Sequence, residues 1–165
     1  VGDIEPIMKE IGDKQVRGLF LTHAHYDHIY GINRLVEYFP ECVIYTSLHG
    51  KEGLFSDKLN FSRYHNEPIV FQGKHIEVLN DGDEILLFPN VLLKAIYTPG
   101  HDWSCMSYYT NEVIFTGDSY IPKIKVITSF PKSNKIEAKV SLDRILKFCK
   151  TRDVYPGHNE IEKHN

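Results

Sequence analysis

Four scarcities bound what this chain can be. No stretch of its 165 residues approaches the roughly 20 consecutive apolar positions that a membrane-crossing helix needs, and the composition, 42% hydrophobic and 25% charged, is that of a soluble globular protein long enough to bury a core. There is no surplus of basic residues: 19 Lys and Arg against 22 Asp and Glu give a formal net charge of -3, which supplies no field for gathering nucleic acid. Cysteine is scarce and odd in number. Cys42, Cys105 and Cys149 show neither a disulfide-framework spacing nor a Cys-x-x-Cys pair, and so favour reducing surroundings. No Gly-x-Ser-x-Gly elbow is present, so no serine nucleophile is advertised. Internal repeats, low-complexity tracts and long linkers are also missing, which predicts one domain over residues 1–165. The cysteine usage makes cytoplasmic the expected compartment; Val1 is not a methionine, so the visible lack of a secretory signal adds nothing to that.

What the chain does have is a dense group of metal-ligating side chains. The apolar run from Val16 to Leu21 stops at Thr22, and His23, His25, Asp27 and His28 follow within six positions. Imidazole and carboxylate suit zinc and related divalent ions, and a loop leaving a buried strand can turn alternate side chains toward one point.

Around this motif the periodicities predict a mixed architecture. Apolar residues at Ile4, Ile7, Met8 and Ile11 have helical spacing, with Asp3 as N-cap and Gly12 as stop. Val16 to Leu21 reads as a buried strand. A helix through Ile29, Ile32, Leu35, Val36 and Phe39 ends at Pro40, and Cys42 to Tyr45 is a second strand. This strand, helix, strand unit predicts an at least partly parallel sheet. Ser47 to Glu67 reads as short helices and loop. Strands are predicted at Ile69 to Phe71, His75 to Leu79, Glu84 to Phe88 and Val91 to Tyr97, with Asn80-Asp-Gly-Asp83 as a turn. Met106 to Tyr109 and Val113 to Thr116 form a hairpin through Asn111. Lys135 to Lys150 is an amphipathic helix turning Ile136, Val140, Leu142, Ile145, Leu146 and Cys149 to the core, and Val154-Tyr155 is a last strand.

Three further ligand candidates share one setting. His101 follows a strand and Thr98-Pro-Gly100, Asp118 follows a strand and Thr116-Gly117, and His158 follows a strand and Pro156-Gly157. Glycine before each lets the backbone turn sharply and aim the next side chain outward. Four strand ends bearing five His and two Asp suggest one cluster at one edge of one sheet.

Thr22-His-Ala-His-Tyr-Asp-His28, Thr98-Pro-Gly-His101, Thr116-Gly-Asp118 and Pro156-Gly-His158 together resemble, in order, the full ligand set of the metallo-β-lactamase superfamily, over about Val16 to His158. The resemblance implies an α+β fold, a four-layer αβ/βα sandwich with helices outside two sheets. The strands that usually precede the first motif are lacking, so the fold is expected to be N-terminally truncated, with Val1-Gly2-Asp3 resembling what is left of an Asp-x-Gly-like turn. An uncovered sheet edge would then give weak stability or a homo-oligomer. The resemblance further implies that His23, His25 and His101 hold a first metal, that Asp27, His28 and His158 hold a second, and that Asp118 bridges both. Asp at 118 resembles the glyoxalase II type of site and not the true β-lactamases, which have Cys there; His at 25 argues against the flavo-diiron branch, which has Glu.

Departures from the family pattern leave alternatives open. Tyr30 stands where a glycine is usual, and either narrows the metal mouth and bonds substrate or packs on the following helix. Trp103 either walls a substrate pocket or is ordinary packing. Cys105, four residues after His101, reads as a buried thiol sooner than an extra ligand, because the ligand set is already complete. Among the remaining histidines, His49, His65, His75 and His164, the bland reading is a surface or satisfied ring; His65, beside Tyr64, is the one offered for substrate contact. Lys123, Lys125 and Lys132 are either a solvated loop or a clamp for an anionic substrate.

The expected activity is that of a metal-dependent hydrolase acting on a small ester, thioester, lactone or amide. It would use a hydroxide shared by two divalent ions, zinc first and iron or manganese otherwise, with Asp27 and Asp118 as the catalytic carboxylates. The alternatives are an iron-dependent oxidoreductase resembling the persulfide dioxygenases, a phosphodiesterase or ribonuclease, and a non-catalytic metal-binding fragment. A small molecule is the expected partner, with neither nucleic acid nor membrane.

Overall fold

The computed structural model describes residues 2–164. The chain divides between Val78 and Leu79 into two compact units. Among the described residues no helix is long and apolar enough to cross a membrane.

The first unit opens with α1 (Ile4–Ile11), whose start and stop are those the sequence predicts. The Asp3 side chain accepts from the Glu5 amide at 3.3 Å, and Gly12, at φ 56, returns its N–H to the Met8 carbonyl. Asp3 therefore acts as a helix cap; of the supposed turn remnant, Val1 lies outside the described residues. Three short strands follow, β1 (Gly18–Phe20), β2 (Val43–Thr46) and β3 (Ile76–Val78), all parallel in the order β1-β2-β3. β1 is shorter than Val16 to Leu21 and only half-buried, although Leu21 is buried and its N–H still reaches the Tyr45 carbonyl at 2.9 Å.

The helix predicted through Ile29 and Phe39 is broken in two, α2 (Tyr26–Ile29) and α3 (Ile32–Tyr38), with Tyr30-Gly31 as the joint and Gly31 as the cap of α3. Apolar spacing alone does not register such a joint, because Ile29, Ile32 and Leu35 all remain in the core, where each full burial contributes roughly 2 kcal/mol. α4 (Leu48–Leu54) is capped by the Ser47 hydroxyl, which accepts from the Gly50 amide. The strand expected at Ile69 to Phe71 is not formed. Ile69 N–H is taken by the Ser62 hydroxyl at 2.7 Å, Phe71 N–H by the Leu54 carbonyl at 2.8 Å and Gln72 N–H by the Asn33 side chain at 3.0 Å. Alternating burial survives, with Ile69 and Phe71 in and Val70 out, but the backbone donors are spent on loop partners instead of a ladder.

The second unit is a five-stranded sheet in the order β4-β5-β6-β7-β8, comprising β4 (Glu84–Phe88), β5 (Val91–Tyr97), β6 (Met106–Tyr109), β7 (Val113–Gly117) and β8 (Asp153–Pro156). The first four form an antiparallel meander, and β8 pairs parallel to β7 after the crossover helix α5 (Lys135–Cys149). Ile96, Ile114, Ile145 and Val154 form the core beneath that helix. The expected Asn80–Asp83 turn is present, Gly82 having φ 89 and Asp83 accepting from the Asn80 amide.

Only part of the face predicted for α5 turns inward: Ile145 is buried and Leu142 and Cys149 partly so, but Ile136, Val140 and Leu146 are not. Ala138, Ser141 and Ile145 are buried, whereas Ile136 is 77% and Val140 64% exposed, and Leu146 is exposed as well. The helix turns its small residues inward because it approaches backbone: the Ser141 hydroxyl donates to the Pro99 carbonyl at 2.6 Å, and a Cβ on Gly100 would lie 2.2 Å from the Ala138 backbone. The thiols of all three cysteines are free; Cys105 is buried, and burial pushes its thiol up.

Candidate metal centre

The four strand ends that carry the ligand candidates belong to two sheets, not to one edge of one sheet: the first motif leaves β1, and the other three leave β5, β7 and β8. Each group has its own local logic.

In the first unit the chain leaves β1 through Leu21 and Thr22, and His25 becomes the N-cap of α2 with extended φ and ψ. Asp27 then occupies the first turn of that short helix and His28 its last, while His23 and His25 precede it in the loop. His23 and His25 are buried. The His23 ring centroid lies 4.6 Å from that of His25 and 4.0 Å from that of His28, and His28 Nε2 is 3.7 Å from Asp27 Oδ2. A second layer comes from the turn after α4. The Phe61 ring packs on His25 at 4.9 Å and the His65 ring stacks on Tyr26 at 3.7 Å and 9°. Phe61 holds this position at φ 65, the left-handed region that a bulky residue adopts only under constraint. The constraint is a buried Asn60 side chain, which donates to the carbonyls of Gly53 and Ile69 and accepts from the Ser62 amide. Tyr30 is 45% exposed and lies 5.7 Å from Tyr26, centroid to centroid. His49 is engaged with Glu52, at 2.9 Å.

In the second unit three loops converge on Asp118. Its Oδ2 lies 3.6 Å from His101 Nε2 and 3.4 Å from His158 Nε2, His101 buried and His158 half exposed. Two glycines allow this. Gly100 at φ 136 lets the chain pass against α5, and Gly117 at φ 51 turns Asp118 off the end of β7. The Gly157 amide donates to the Gly117 carbonyl at 3.0 Å, so the loops bearing Asp118 and His158 are tied backbone to backbone. His101 is held from behind: its Nδ1 is 2.9 Å from the Ile127 carbonyl oxygen, its carbonyl accepts from the Ser133 hydroxyl, and Phe130 packs edge-on against its ring. A carbonyl can only accept, so Nδ1 carries a proton, and in the neutral ring the lone pair is then on Nε2, the nitrogen that faces Asp118.

The remaining substrate candidate, Trp103, is half-buried, with its carbonyl accepting from Tyr97 Oη at 2.6 Å and Lys132 Nζ 4.1 Å above its ring. Lys125 lines a small cavity with His101 and Asp118, and Lys123 sits at φ 65 in the turn that closes Ile121 on Ile124. Asp102, buried beside His101, accepts from both the amide and the hydroxyl of Ser104. Ile127, Phe130, Ser133 and Phe61 were not legible as site residues, since a backbone carbonyl and packing rings leave no motif.

Five imidazoles and two carboxylates are a donor set suited to zinc, iron or manganese, and each of the seven residues is of a type and setting able to hold such an ion. The lone-pair orientation of His101 fits the same use.

Comparison with known proteins gives a consistent answer. Residues 2–158 match the family model described as the metallo-beta-lactamase superfamily. A hydroxyacylglutathione hydrolase of Buchnera aphidicola subsp. Acyrthosiphon pisum (strain APS) is 28% identical over 151 residues, covering 78% of this chain and 50% of that protein. Another, of Aeromonas hydrophila subsp. hydrophila, is 31% identical over 120 residues, covering 72% of this chain and 39% of that protein. The chain thus spans about half the length, or less, of these curated relatives. Among solved structures, the BLEG-1 B3 metallo-β-lactamase superposes with TM-score 0.83 at 24% identity, over 97% of this chain and 78% of that one. TTHA1623 in a di-iron-bound form gives 0.79 at 21%, over 98% and 80%. These likenesses show the fold, and with it the expected α+β class of metallo-β-lactamase type.

Proposed function

We propose that this chain, which belongs to the metallo-β-lactamase superfamily, works as a metal-dependent hydrolase on a small ester, thioester, lactone or amide, using a two-metal site. His23, His25 and His101 would hold one ion, Asp27, His28 and His158 the other, with Asp118 shared between them. The observation that carries this reading is Asp118 Oδ2 lying 3.6 and 3.4 Å from two imidazole Nε2 atoms, one on each side of the proposed assignment. Named hydroxyacylglutathione hydrolases among the relatives support a thioester as the first substrate to try.

When bound, two divalent ions supply Lewis acidity and lower the pKa of water toward neutrality. The chain's own residues do the rest. Asp118 places its carboxylate between the His101 and His158 rings. The Ile127 carbonyl fixes the Nδ1 side of His101, which leaves Nε2 as the ring nitrogen that would bind metal. Asp27, exposed at the first turn of α2, orients the attacking water through its carboxylate. The stacked Tyr26 and His65 rings, with Tyr30 beside them, offer an aromatic flank to a substrate, and Trp103 with Lys132 above it offers a second.

The test is metal analysis of the purified chain together with a panel of thioester, lactone and phosphodiester substrates. Two metal ions per chain with thioester or lactone turnover is the expected result. One iron per chain with oxygen uptake would instead favour the oxidoreductase reading, and TTHA1623's di-iron form is the reason to assay iron alongside zinc.

A further inference from the structure

The segment from Tyr120 to Thr128 has two sides. One side, through Ile124, Lys125 and Val126, closes the small cavity lined by His101 and Asp118. The same three residues form one wall of a separate groove of about 350 Å³ whose opposite wall is α5. That volume is in the range of small-molecule sites. Apolar side chains make up much of the lining, among them Ile124, Val126 and Leu142, and no acidic residue lines it. Three of the lining residues are lysines, Lys125, Lys135 and Lys139, all exposed, in a chain whose formal charge is -3. On α5 the positions 135, 138, 139 and 142 form one helical stripe, so both lysines of the helix sit beside the apolar Ala138 and Leu142. An apolar trough with local positive charge is complementary to a ligand with an alkyl chain and an anionic head.

We propose that this groove is a binding site for a short-chain anionic amphiphile, an alkyl carboxylate or alkyl phosphate, with the chain against Ile124, Val126 and Leu142 and the head among Lys125, Lys135 and Lys139. The site lies behind the segment whose Ile127 carbonyl holds His101, so its occupant buttresses the loop that carries a proposed metal ligand. Binding itself does not depend on hydrolysis, and its failure leaves the proposed activity untouched.

The experiment is calorimetric titration of the whole chain with octanoate, octyl phosphate, octanol and acetate, with amide NMR shifts to locate the ligand. Octanoate or octyl phosphate is expected to bind with a dissociation constant on the order of 1 mM or tighter, the tighter of the two naming the head group. Octanol and acetate should bind at least about tenfold more weakly, and shifts should centre on residues 124–128 and 135–142. The double variant Lys135→Glu, Lys139→Glu should lose about tenfold or more, and Lys147→Glu, nearer the end of α5 and outside the groove lining, should change little. The proposal is overturned if neither amphiphile binds by about 10 mM, if acetate matches octanoate, if octanol matches it, or if the double variant binds as the parent does.

Discussion

The two ligand groups are built in opposite ways. In the first unit four candidates lie within one strand-to-helix junction, and their mutual geometry follows from local backbone: an extended N-cap at His25 and one turn of helix carrying Asp27 and His28. In the second unit three candidates come from the ends of β5, β7 and β8, and only sheet register brings them together, with Asp118 between two histidines. A locally built group tolerates damage to its surroundings; one assembled by register inherits every weakness of the scaffold. Perturbing the framework should therefore harm the second group more than the first.

The largest expected effect comes from removing the carboxylate proposed to be shared, that of Asp118. Asp118→Ala should lower thioester turnover by about a thousandfold, roughly 4 kcal/mol, and reduce bound metal, whereas a framework change in the first unit should cost far less; unchanged turnover in Asp118→Ala would mean that the measured activity is not native. Next comes Gly100→Ala, which adds a Cβ 2.2 Å from the Ala138 backbone at a φ of 136. It should cost about 3 kcal/mol or more in urea denaturation and impair metal binding with it, and a loss under about 1 kcal/mol would refute the close approach of α5.

In the first unit, Phe61→Gly separates strain from positioning. Relief of the left-handed φ should leave stability unchanged or slightly higher, while loss of the ring against His25 should weaken zinc binding by roughly tenfold. Metal affinity that stays level in calorimetry would show that the first group needs no support at all, which would sharpen the contrast.

The smallest effect tests the scaffold alone. Burial pushes the Asp81 carboxyl up, but the Arg144 fork, at 2.7 and 3.0 Å, and the Tyr97 amide outweigh it and hold the group below its ordinary value. A depressed carboxyl stabilises the fold above its unfolded pKa and loses that contribution as pH falls through the folded one. Arg144→Ala should therefore cost about 1 kcal/mol at neutral pH, and the gap from the parent should close as the pH is lowered toward about 2 in urea titrations; a gap independent of pH would assign the loss to packing.

How much the sequence disclosed follows the same division between local and non-local. The caps of α1, the Asn80–Asp83 turn, β4, β5 and β6 were readable because Asp3, Gly12, Gly82 and short apolar or aromatic runs act over a few residues. The strand at Ile69 to Phe71 and half of the inward face of α5 were misread because their partners are distant: Ser62 and Leu54 in one case, Pro99 and Gly100 in the other. The candidate ligands were legible from residue type and from the glycines before three of them. The side chains and carbonyls that hold them, Phe61, Phe130, Ser133 and Ile127, were not, since any apolar or hydroxyl residue reads the same until the fold brings it near.

The three thiols carry one more consequence. Cys42 and Cys105 are buried with their thiols pushed up, and burial lifts Cys149 to about 11. At neutral pH about one Cys149 in ten thousand is the reactive thiolate, against about one in thirty for an ordinary exposed cysteine. The native chain is in effect a thiol-silent background: a single cysteine introduced on the exposed Ile136 face of α5 would outreact all three and report dye chemistry from one known point.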